Sequence, residues 1–370
     1  MEHLILPSIA APLLKWYENN KRDLPWRQDA DPYRVWVSEI MLQQTRVAAV
    51  IPYYERWMQS LPDVFALASV DDEQLMKLWQ GLGYYSRARN LKRAAQVIVT
   101  DHGGEFPRTY DELLKLPGVG EYTAGAIASI AFGERVGAVD GNVLRIAARL
   151  CDFHEDILDV RVKKAMRASV DAAVPEGRSG DFNQALMDLG ATVCLPNGKP
   201  LCETCPLAAL CRARENGTAL SLPVRAKKAK RRIEEMTVFL MIRDGAVALR
   251  KRDNEGLLAG LWEFPHVPGT LDENVAADAL KNFGLTATDW KKKITAKHIF
   301  THIEWHMTGY LVSVQGGGSP DFVWAEGENL STFAVPGAFK KYYTECMNTL
   351  SDQERENGTF TFQIRRNGLQ

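Results

Sequence analysis

The first half of the chain carries apolar side chains at helical spacing. Such spacing covers Val35 to Thr45, most of Val47 to Val99, and residues 154–193. A further stripe at i, i+3, i+4 and i+7 is formed by Ala124, Ile127, Ala128 and Ala131. Gly133 is a typical end for that helix. The pattern predicts an all-α domain over residues 1–215.

From Thr237 onward, β-branched and other apolar residues form short runs typical of strands. Thr237–Ile242 and Ala246–Arg250 flank Asp244-Gly245, which is a hairpin signature. Three more strands are predicted, over Leu261–Phe264, Ile299–Met307 and Gly309–Val314. Ala276–Phe283 has the pattern of a short helix. Residues 234–355 are therefore predicted to form an α+β domain.

Two stretches lack the regularly spaced apolar residues that would form a core. Residues 216–233 contain Ser221-Leu222-Pro223 and a basic run, Lys227 to Arg232, which indicates an interdomain linker. Residues 356–370 are polar and are predicted to form a tail.

Composition restricts the class of protein. The 370 residues are 46% hydrophobic and 25% charged, which suits two globular domains. No apolar run approaches membrane-spanning length, and the N-terminus lacks a basic signal region, so we expect a cytoplasmic protein with no membrane partner. Because the formal net charge is only −1, binding to nucleic acid would have to come from local patches.

Four of the six cysteines are clustered. Cys194, Cys202, Cys205 and Cys211 have the spacing C-x7-C-x2-C-x5-C. In a protein that is not secreted, this clustering favours a metal site over disulfides. Four thiolates suit a [4Fe–4S] cluster, and structural zinc is the alternative.

A glycine-rich turn precedes the helix that ends at Gly133. In the turn Pro117 to Gly120, Gly118 and Gly120 allow backbone N–H groups to approach an anion at a helix N-terminus. An apolar run then leads to Asp140, at the start of a second helix. Asp140 is a candidate functional carboxylate, although an ordinary helix N-cap would have the same sequence.

A second carboxyl lies on the helix that Asp31-Pro32 is predicted to start. Glu39 shares a face with Val35 and Leu42. A carboxyl on a partly apolar face can have a raised pKa, as a general acid needs near neutral pH. A lone glutamate at the edge of a helix is more commonly an exposed surface residue.

The pattern LPGVG-x-x-TA followed by VDGNVxR resembles the helix-hairpin-helix DNA glycosylases. Glycosylases of the endonuclease III and MutY types have a similar cysteine cluster, with six residues in the first gap instead of the seven found here. GLLAGLWEFP, from Gly256 to Pro265, resembles the start of a Nudix domain. Phe300-Thr301-His302 resembles the Phe-Ser-His loop of the MutY type, with Thr301 in place of serine. The chain therefore resembles the MutY type of adenine DNA glycosylase over almost its whole length.

This resemblance implies a fold, an activity and a site. The fold would be an all-α helix-hairpin-helix domain with an iron–sulfur module in the loop 194–211 and an α+β Nudix-like domain. Glu39 would protonate the N7 atom of adenine and Asp140 would stabilise the cationic sugar, with Tyr122 and Asn142 in support. Adenine would be bound by Gln184, Arg27 and Trp26, and 8-oxoguanine by Phe300, Thr301 and His302. DNA would be contacted by Leu42, Gln44, Thr45, Tyr84, Gly118 and Gly120.

The implied partner is double-stranded DNA with adenine opposite 8-oxoguanine or guanine, bound by a monomer. Tyr122 occupies the position at which enzymes of the endonuclease III type have a lysine nucleophile, so we expect no appreciable strand cleavage. Two alternatives remain: a bifunctional glycosylase for oxidised pyrimidines and a non-catalytic DNA-binding protein. The first would normally have the lysine and lack residues 234–355. Retention of both Glu39 and Asp140 argues against the second.

Overall fold

The computed structural model describes residue 6, residues 8–226 and residues 230–356. The chain divides into two compact units, Met1–Val70 with Ser86–Lys228 and Asp71–Tyr85 with Ala229–Gln370. Most of the predicted tail and part of the predicted basic run in the linker lie outside the described residues.

Helices dominate the part of the chain before the sheet. In order they are α1 (Ala10–Asn20), α2 (Pro32–Leu42), α3 (Val47–Ser60), α4 (Val64–Ser69), α5 (Asp72–Trp79), α6 (Ser86–His102), α7 (Tyr110–Leu113), α8 (Glu121–Phe132), α9 (Gly141–Cys151), α10 (Val160–Ala173), α11 (Ser179–Thr192) and α12 (Arg212–Glu215). Of these, α5 belongs to the second unit and the others to the first.

Capping residues determine where the important helices begin and end. The Asp31 side chain accepts a hydrogen bond from the Arg34 amide and caps α2, as predicted. That helix ends at Leu42, three residues before its predicted end. Gly133 ends α8 in the left-handed conformation, with φ 73°, which glycine adopts at little cost.

The core of the first unit is formed where α1, α9 and α11 meet. Leu13, Ile146 and Phe182 are buried there, one from each helix. On α8, a Cβ atom at Gly125 would lie 2.5 Å from the Gly137 carbonyl oxygen. Glycine is therefore needed for the segment before Asp140 to run directly against α8.

The second unit contains a seven-stranded sheet. Its strands are β1 (Arg232–Arg243), β2 (Ala246–Lys251), β3 (Trp262–Glu263), β4 (His266–Pro268), β5 (Thr286–Ile299), β6 (Ile303–Gln315) and β7 (Phe322–Glu326). The order is β3-β2-β1-β6-β5, with β4 paired to β1 and β7 to β2. Only β1 and β6 pair in parallel among the strand pairs of the described residues.

Helices cover both faces of this sheet. Val238 and Leu240 on β1 share a core with α15 (Lys340–Glu356), whereas Phe239 and Met241 share one with α13 (Glu273–Asn282). This alternation follows from the two-residue period of a strand. A short helix, α14 (Gly327–Leu330), follows β7.

The hairpin predicted at Asp244-Gly245 is confirmed, because Ile242 pairs with Val247 and both turn residues have positive φ. The strand predicted over Ile299–Met307 is wrong. Instead, β5 ends at Ile299, residues 300–302 form the turn of a hairpin, and β6 starts at Ile303. The aromatic and β-branched residues on both sides of the turn concealed it in the sequence.

Candidate active site

The predicted catalytic residues converge on one cleft of about 1110 Å³ in the first unit. Nine of the predicted site residues line it: Trp26, Arg27, Glu39, Leu42, Gln44, Thr45, Tyr122, Asp140 and Asn142. They come from the turn before α2, from α2 and the loop after it, from α8, and from the start of α9. Residues as far apart in sequence as Glu39 and Asp140 thus face one space.

Glu39 is not the exposed residue that a lone helical glutamate would normally be. It is 5% exposed on α2, and the Tyr122 hydroxyl donates a hydrogen bond to its Oε2 atom at 2.6 Å. Burial raises the pKa of Glu39 to about 7, although this hydrogen bond and the charge of Arg27 act to lower it. The side chain can therefore carry a proton at neutral pH.

Asp140 is at once an N-cap and a residue of the cleft. Its Oδ1 atom accepts hydrogen bonds from the amides of Asn142 and Val143, each at 2.8 Å, and its Oδ2 atom accepts one from Asn142 Nδ2 at 2.6 Å. Burial raises the pKa of Asp140, but all three hydrogen bonds favour the carboxylate. The two carboxyl groups of the cleft therefore have different surroundings.

A buried arginine connects this region to the cysteine loop. Arg145 on α9 is 1% exposed and donates to Asn142 Oδ1 at 2.9 Å. The same guanidinium donates to the carbonyl oxygens of Gly190 at 2.8 Å and Cys194 at 3.0 Å. Arg145 thus links Asn142, which donates to Asp140, to the backbone of Cys194, the first cysteine of the loop.

The residues predicted to bind adenine are not all in the cleft. Trp26 and Arg27 line it, and both Nη atoms of Arg27 are paired with the buried Asp188. Gln184 lies half-buried on α11 and is not among the lining residues, whereas Met187, three residues later on the same helix, is. Contact between Gln184 and adenine stays a prediction.

The loop after α2 and the glycine turn have unusual backbone conformations. Gln44 has φ 59°, which is uncommon for a residue with a side chain. Gly118 has φ 74°, and a Cβ atom there would lie 2.5 Å from Asn90 Cβ. Gly120 is the N-cap of α8, with open space where a Cβ atom would be. The turn thus needs glycine at position 118 and leaves the N-terminus of α8 accessible.

All four cysteines of the loop line one small apolar cavity, which Arg149 also lines. Arg149 Nη1 donates to Cys194 Sγ at 3.2 Å, and the four thiols are near enough to interact electrostatically. Among the described residues, no three His, Cys, Asp or Glu side chains converge closely enough to hold one metal ion. The four cysteines are thus grouped around one small apolar space in the first unit.

The turn at residues 300–302 lies in the second unit. Its Phe300 ring packs against Trp305, with centroids 4.8 Å apart, and Arg232 N donates to His302 O at 3.0 Å. Thr301 is exposed, and its Oγ1 atom is 3.1 Å from the hydroxyl of Tyr84, which belongs to the same unit. Two residues predicted to meet the DNA from separate motifs are thus neighbours.

Several residues of the cleft were missed in the sequence. Arg22 and Asn197 line it, and the latter lies in the cysteine gap that is one residue longer than in the resembling enzymes. Arg145 and Asp188 support it from behind, through bonds between residues distant in the chain. In the sequence, the one feature that could have indicated Arg22 as a site residue is its charge close to the Leu24-Pro25-Trp26-Arg27 segment.

Comparison with known proteins identifies the family of both domains. Residues 37–171 match the HhH-GPD superfamily of base excision DNA repair proteins, and residues 237–345 match the NUDIX domain. The adenine DNA glycosylase of Homo sapiens is 38% identical over 90% of this chain and 72% of its own length. The corresponding enzyme of Buchnera aphidicola subsp. Baizongia pistaciae is 34% identical over 81% of this chain and 83% of its own. The chain belongs to the adenine DNA glycosylase family.

A solved structure of a thermostable thymine-DNA glycosylase is also similar to part of the chain. It is 31% identical, covers 56% of this chain and 95% of its own, and gives a TM-score of 0.51. The family membership confirms the predicted fold class, a helix-hairpin-helix glycosylase domain followed by a Nudix-like domain. Among the described residues, no helix has the length and hydropathy to cross a membrane.

Proposed function

We propose that this member of the family, acting as a monomer, removes adenine from double-stranded DNA in which adenine is opposite 8-oxoguanine or guanine. The observation that carries the proposal is the meeting of Glu39 and Asp140 in one cleft with different surroundings. An adenine inside a duplex cannot reach buried groups. The nucleotide therefore has to be flipped out of the stack into the cleft.

In the proposed reaction, protonated Glu39 donates its proton to N7 of the extruded adenine. The bond between C1′ and N9 then breaks, and its electron pair leaves with the base, which makes the sugar cationic. The carboxylate of Asp140 stabilises that cation, while Glu39, now ionised, accepts a proton from the water that adds to C1′. An acid and an anion in one site are the same division of roles as in glycoside hydrolysis.

Tyr122 and Asn142 support the two carboxyl groups in this proposal. The Tyr122 hydroxyl orients Glu39, and Asn142 donates to Asp140 from both its amide and its side chain. Burial holds the pKa of the Tyr122 phenol well above its ordinary value, so it acts as a donor. A phenol cannot form the imine of a lyase. We expect no adduct when borohydride is added during turnover.

We propose that Phe300, Thr301 and His302 recognise the partner base, together with Tyr84. Thr301 and His302 are exposed in a turn that is anchored to β1, which supports a role in contact with DNA. Leu42, Gln44 and Thr45 lie at the cleft and are proposed to contact the duplex there. Gly118 and Gly120 are proposed to leave backbone amides open to a DNA phosphate.

We propose that Cys194, Cys202, Cys205 and Cys211 hold a [4Fe–4S] cluster. Four cysteine thiols that line one apolar cavity supply the complete donor set that such a cluster requires. When bound, the group would stabilise the loop at whose base Arg145 and Arg149 lie. Iron and acid-labile sulfide analysis of the purified protein tests this, and one zinc per chain would contradict it.

The substrate is tested with a panel of duplexes. We expect release of adenine opposite 8-oxoguanine and opposite guanine, with no release of thymine glycol. Release of oxidised pyrimidines with strand cleavage would favour an activity of the endonuclease III type. Binding without base release in every duplex would contradict the enzymatic proposal.

A further inference from the structure

Asp188 is a fully buried carboxylate directly behind the wall of the cleft. Its side chain is 0% exposed, and it accepts hydrogen bonds from Arg27 Nη1 and Nη2 at 2.8 and 2.9 Å. It also accepts from the Arg22 Nε atom at 2.7 Å and the Arg22 amide at 3.1 Å. Asp188 itself does not line the cleft, but both arginines do. It therefore acts on the cleft only through them.

The two arginines carry more charge than Asp188 compensates. Both guanidinium groups face a single carboxylate, so the three side chains together have one net positive charge, and of the two arginines it is Arg27 whose charge acts on Glu39. Although burial acts to raise it, the hydrogen bonds and charges of Arg27 and Arg22 hold the pKa of Asp188 below its usual value. Asp188 is thus expected to be ionised throughout the pH range in which the protein is folded.

The charged groups that face Glu39 come from three further elements. Tyr122 on α8 donates a hydrogen bond, Arg27 before α2 favours the ionised form, and Asp140 before α9 favours the protonated form. The field of Arg27 at Glu39 depends on how much of its charge Asp188 offsets. Removing Asp188 would expose Glu39 to more positive charge than the wild-type protein does.

We propose that Asp188 is a positioning residue of the glycosylase reaction, which fixes Arg22 and Arg27 at the wall of the cleft and offsets the charge that Arg27 presents to Glu39. The inference rests on the proposed function, in which Glu39 is the acid. It assigns Asp188 no contact with DNA or with the reacting atoms.

The test is the pH dependence of single-turnover adenine release. In Asp188→Asn, the local charge rises by one, so we expect the decline on the basic side to begin about one pH unit lower. At pH 8 the rate would then be about tenfold below that of the wild type, with the loss recovered as the pH is lowered. A loss of the same size at every pH would show a structural role only and would overturn the proposal.

Two further variants separate charge from packing. Arg27→Gln removes the positive charge that favours ionised Glu39, so we expect its basic decline to move to higher pH. The double variant Arg27→Gln with Asp188→Asn restores the wild-type charge balance, and its decline is expected at the wild-type pH. If the double variant declines at the same pH as Arg27→Gln, Asp188 does not act through charge. This comparison also applies if Asp188→Asn alone does not fold.

Asp181→Asn is the matched control. Asp181 is also on α11, but it is half-exposed and paired with Arg178, away from the cleft. We expect a wild-type pH profile for this variant. If the proposed function itself is wrong, the wild-type enzyme will show no dependence on Glu39. If only the role of Asp188 is wrong, Glu39→Gln will still lose adenine release, but the basic decline of Asp188→Asn will occur at the same pH as in the wild type.

Discussion

Among the described residues, each of the two units buries one glutamate almost completely, and the charged surroundings of the two side chains are opposite. In the first unit, Glu39 is 5% exposed and accepts a hydrogen bond from a neutral phenol, that of Tyr122. In the second, Glu263 is 2% exposed and is paired with Arg250, at 2.8 Å, and with Arg252. His266 Nδ1 lies 3.4 Å from the same carboxyl group.

This difference shows that burial alone does not produce a general acid. A buried carboxyl is costly to ionise unless cations compensate its charge. In the second unit, the guanidinium groups of Arg250 and Arg252 compensate the charge of Glu263 in an ion pair. In the first unit, Glu39 accepts a hydrogen bond from the Tyr122 phenol, and Arg27 is paired with Asp188. Glu39 can therefore hold a proton near pH 7.

Replacing the acid should have the largest effect on activity. In Glu39→Gln, the side chain keeps its shape but cannot deliver a proton, so we expect adenine release to fall at least about a thousandfold. Affinity for the duplex should change by less than about threefold. Glu55→Gln, at an exposed position of α3, is the control and should release adenine normally. A Glu39→Gln enzyme with ordinary turnover would remove Glu39 from the mechanism.

Replacing the anion should have the next largest effect. Asn can cap a helix almost as well as Asp, so Asp140→Asn should fold normally but lose about a hundredfold in single-turnover rate. Asp159→Asn is matched to it, because Asp159 caps α10 through the amides of Arg161 and Val162. The control should keep full activity. Equal single-turnover rates in Asp140→Asn and Asp159→Asn would show that Asp140 is only a helix cap.

Replacing the two buried glutamates should change the free energy of unfolding in opposite directions. Glu263→Gln leaves the half-buried Arg250 and Arg252 without their carboxylate, so we expect the free energy of unfolding to fall by about 1 to 3 kcal/mol, less than for a fully buried pair because water reaches both guanidinium groups. The exposed Glu255→Gln is the control, with little change expected. Denaturant unfolding followed by fluorescence measures both. A neutral result for Glu263→Gln would mean that the ion pair is compensated elsewhere.

For Glu39 the pKa of about 7 lies above its ordinary value of 4.5. The folded state therefore holds more protons than the unfolded state between these values, and stability from this group is lost as pH rises through that window. At pH 8, Glu39→Gln should raise the free energy of unfolding by up to about 3 kcal/mol. The gain should disappear below pH 4.5.

The smallest effect is expected at the turn of the second unit. Thr301→Val removes the hydroxyl that lies 3.1 Å from Tyr84, and should reduce the preference for 8-oxoguanine over guanine about tenfold. Thr301→Ser keeps the hydroxyl and should keep the preference. Competition between the two duplexes measures this directly. An unchanged preference in Thr301→Val would exclude the hydroxyl from base recognition.

Local signals in the sequence predicted the elements that depend on local interactions. The apolar stripe and Gly133 determine α8, and Asp244-Gly245 determines the first hairpin, so both were found. The edge strand β5 was not, because its exposed Lys291, Lys292 and Lys293 give no apolar alternation. Similarly, the turn at residues 300–302 lies within a run of strand-forming residues.

Glu39 and Asp140 were candidates from the sequence, and the resemblance implied their catalytic roles, whereas their electrostatic surroundings required coordinates. Arg27 and Asp188 are separated by 161 residues, and no spacing rule predicts such a pair. The same holds for Arg145, which joins Asn142 to Cys194. The first contact affects the charge that faces Glu39, and the second lies beside Asp140.

The pH dependence of single-turnover adenine release by the wild-type enzyme shows whether a protonated Glu39 is the acid. A protonated Glu39 is required, so the rate should be steady below about pH 7 and fall about tenfold per pH unit above it. The decline should be absent from the residual activity of Glu39→Gln. A rate that stays level from pH 6 to pH 9 would contradict the account.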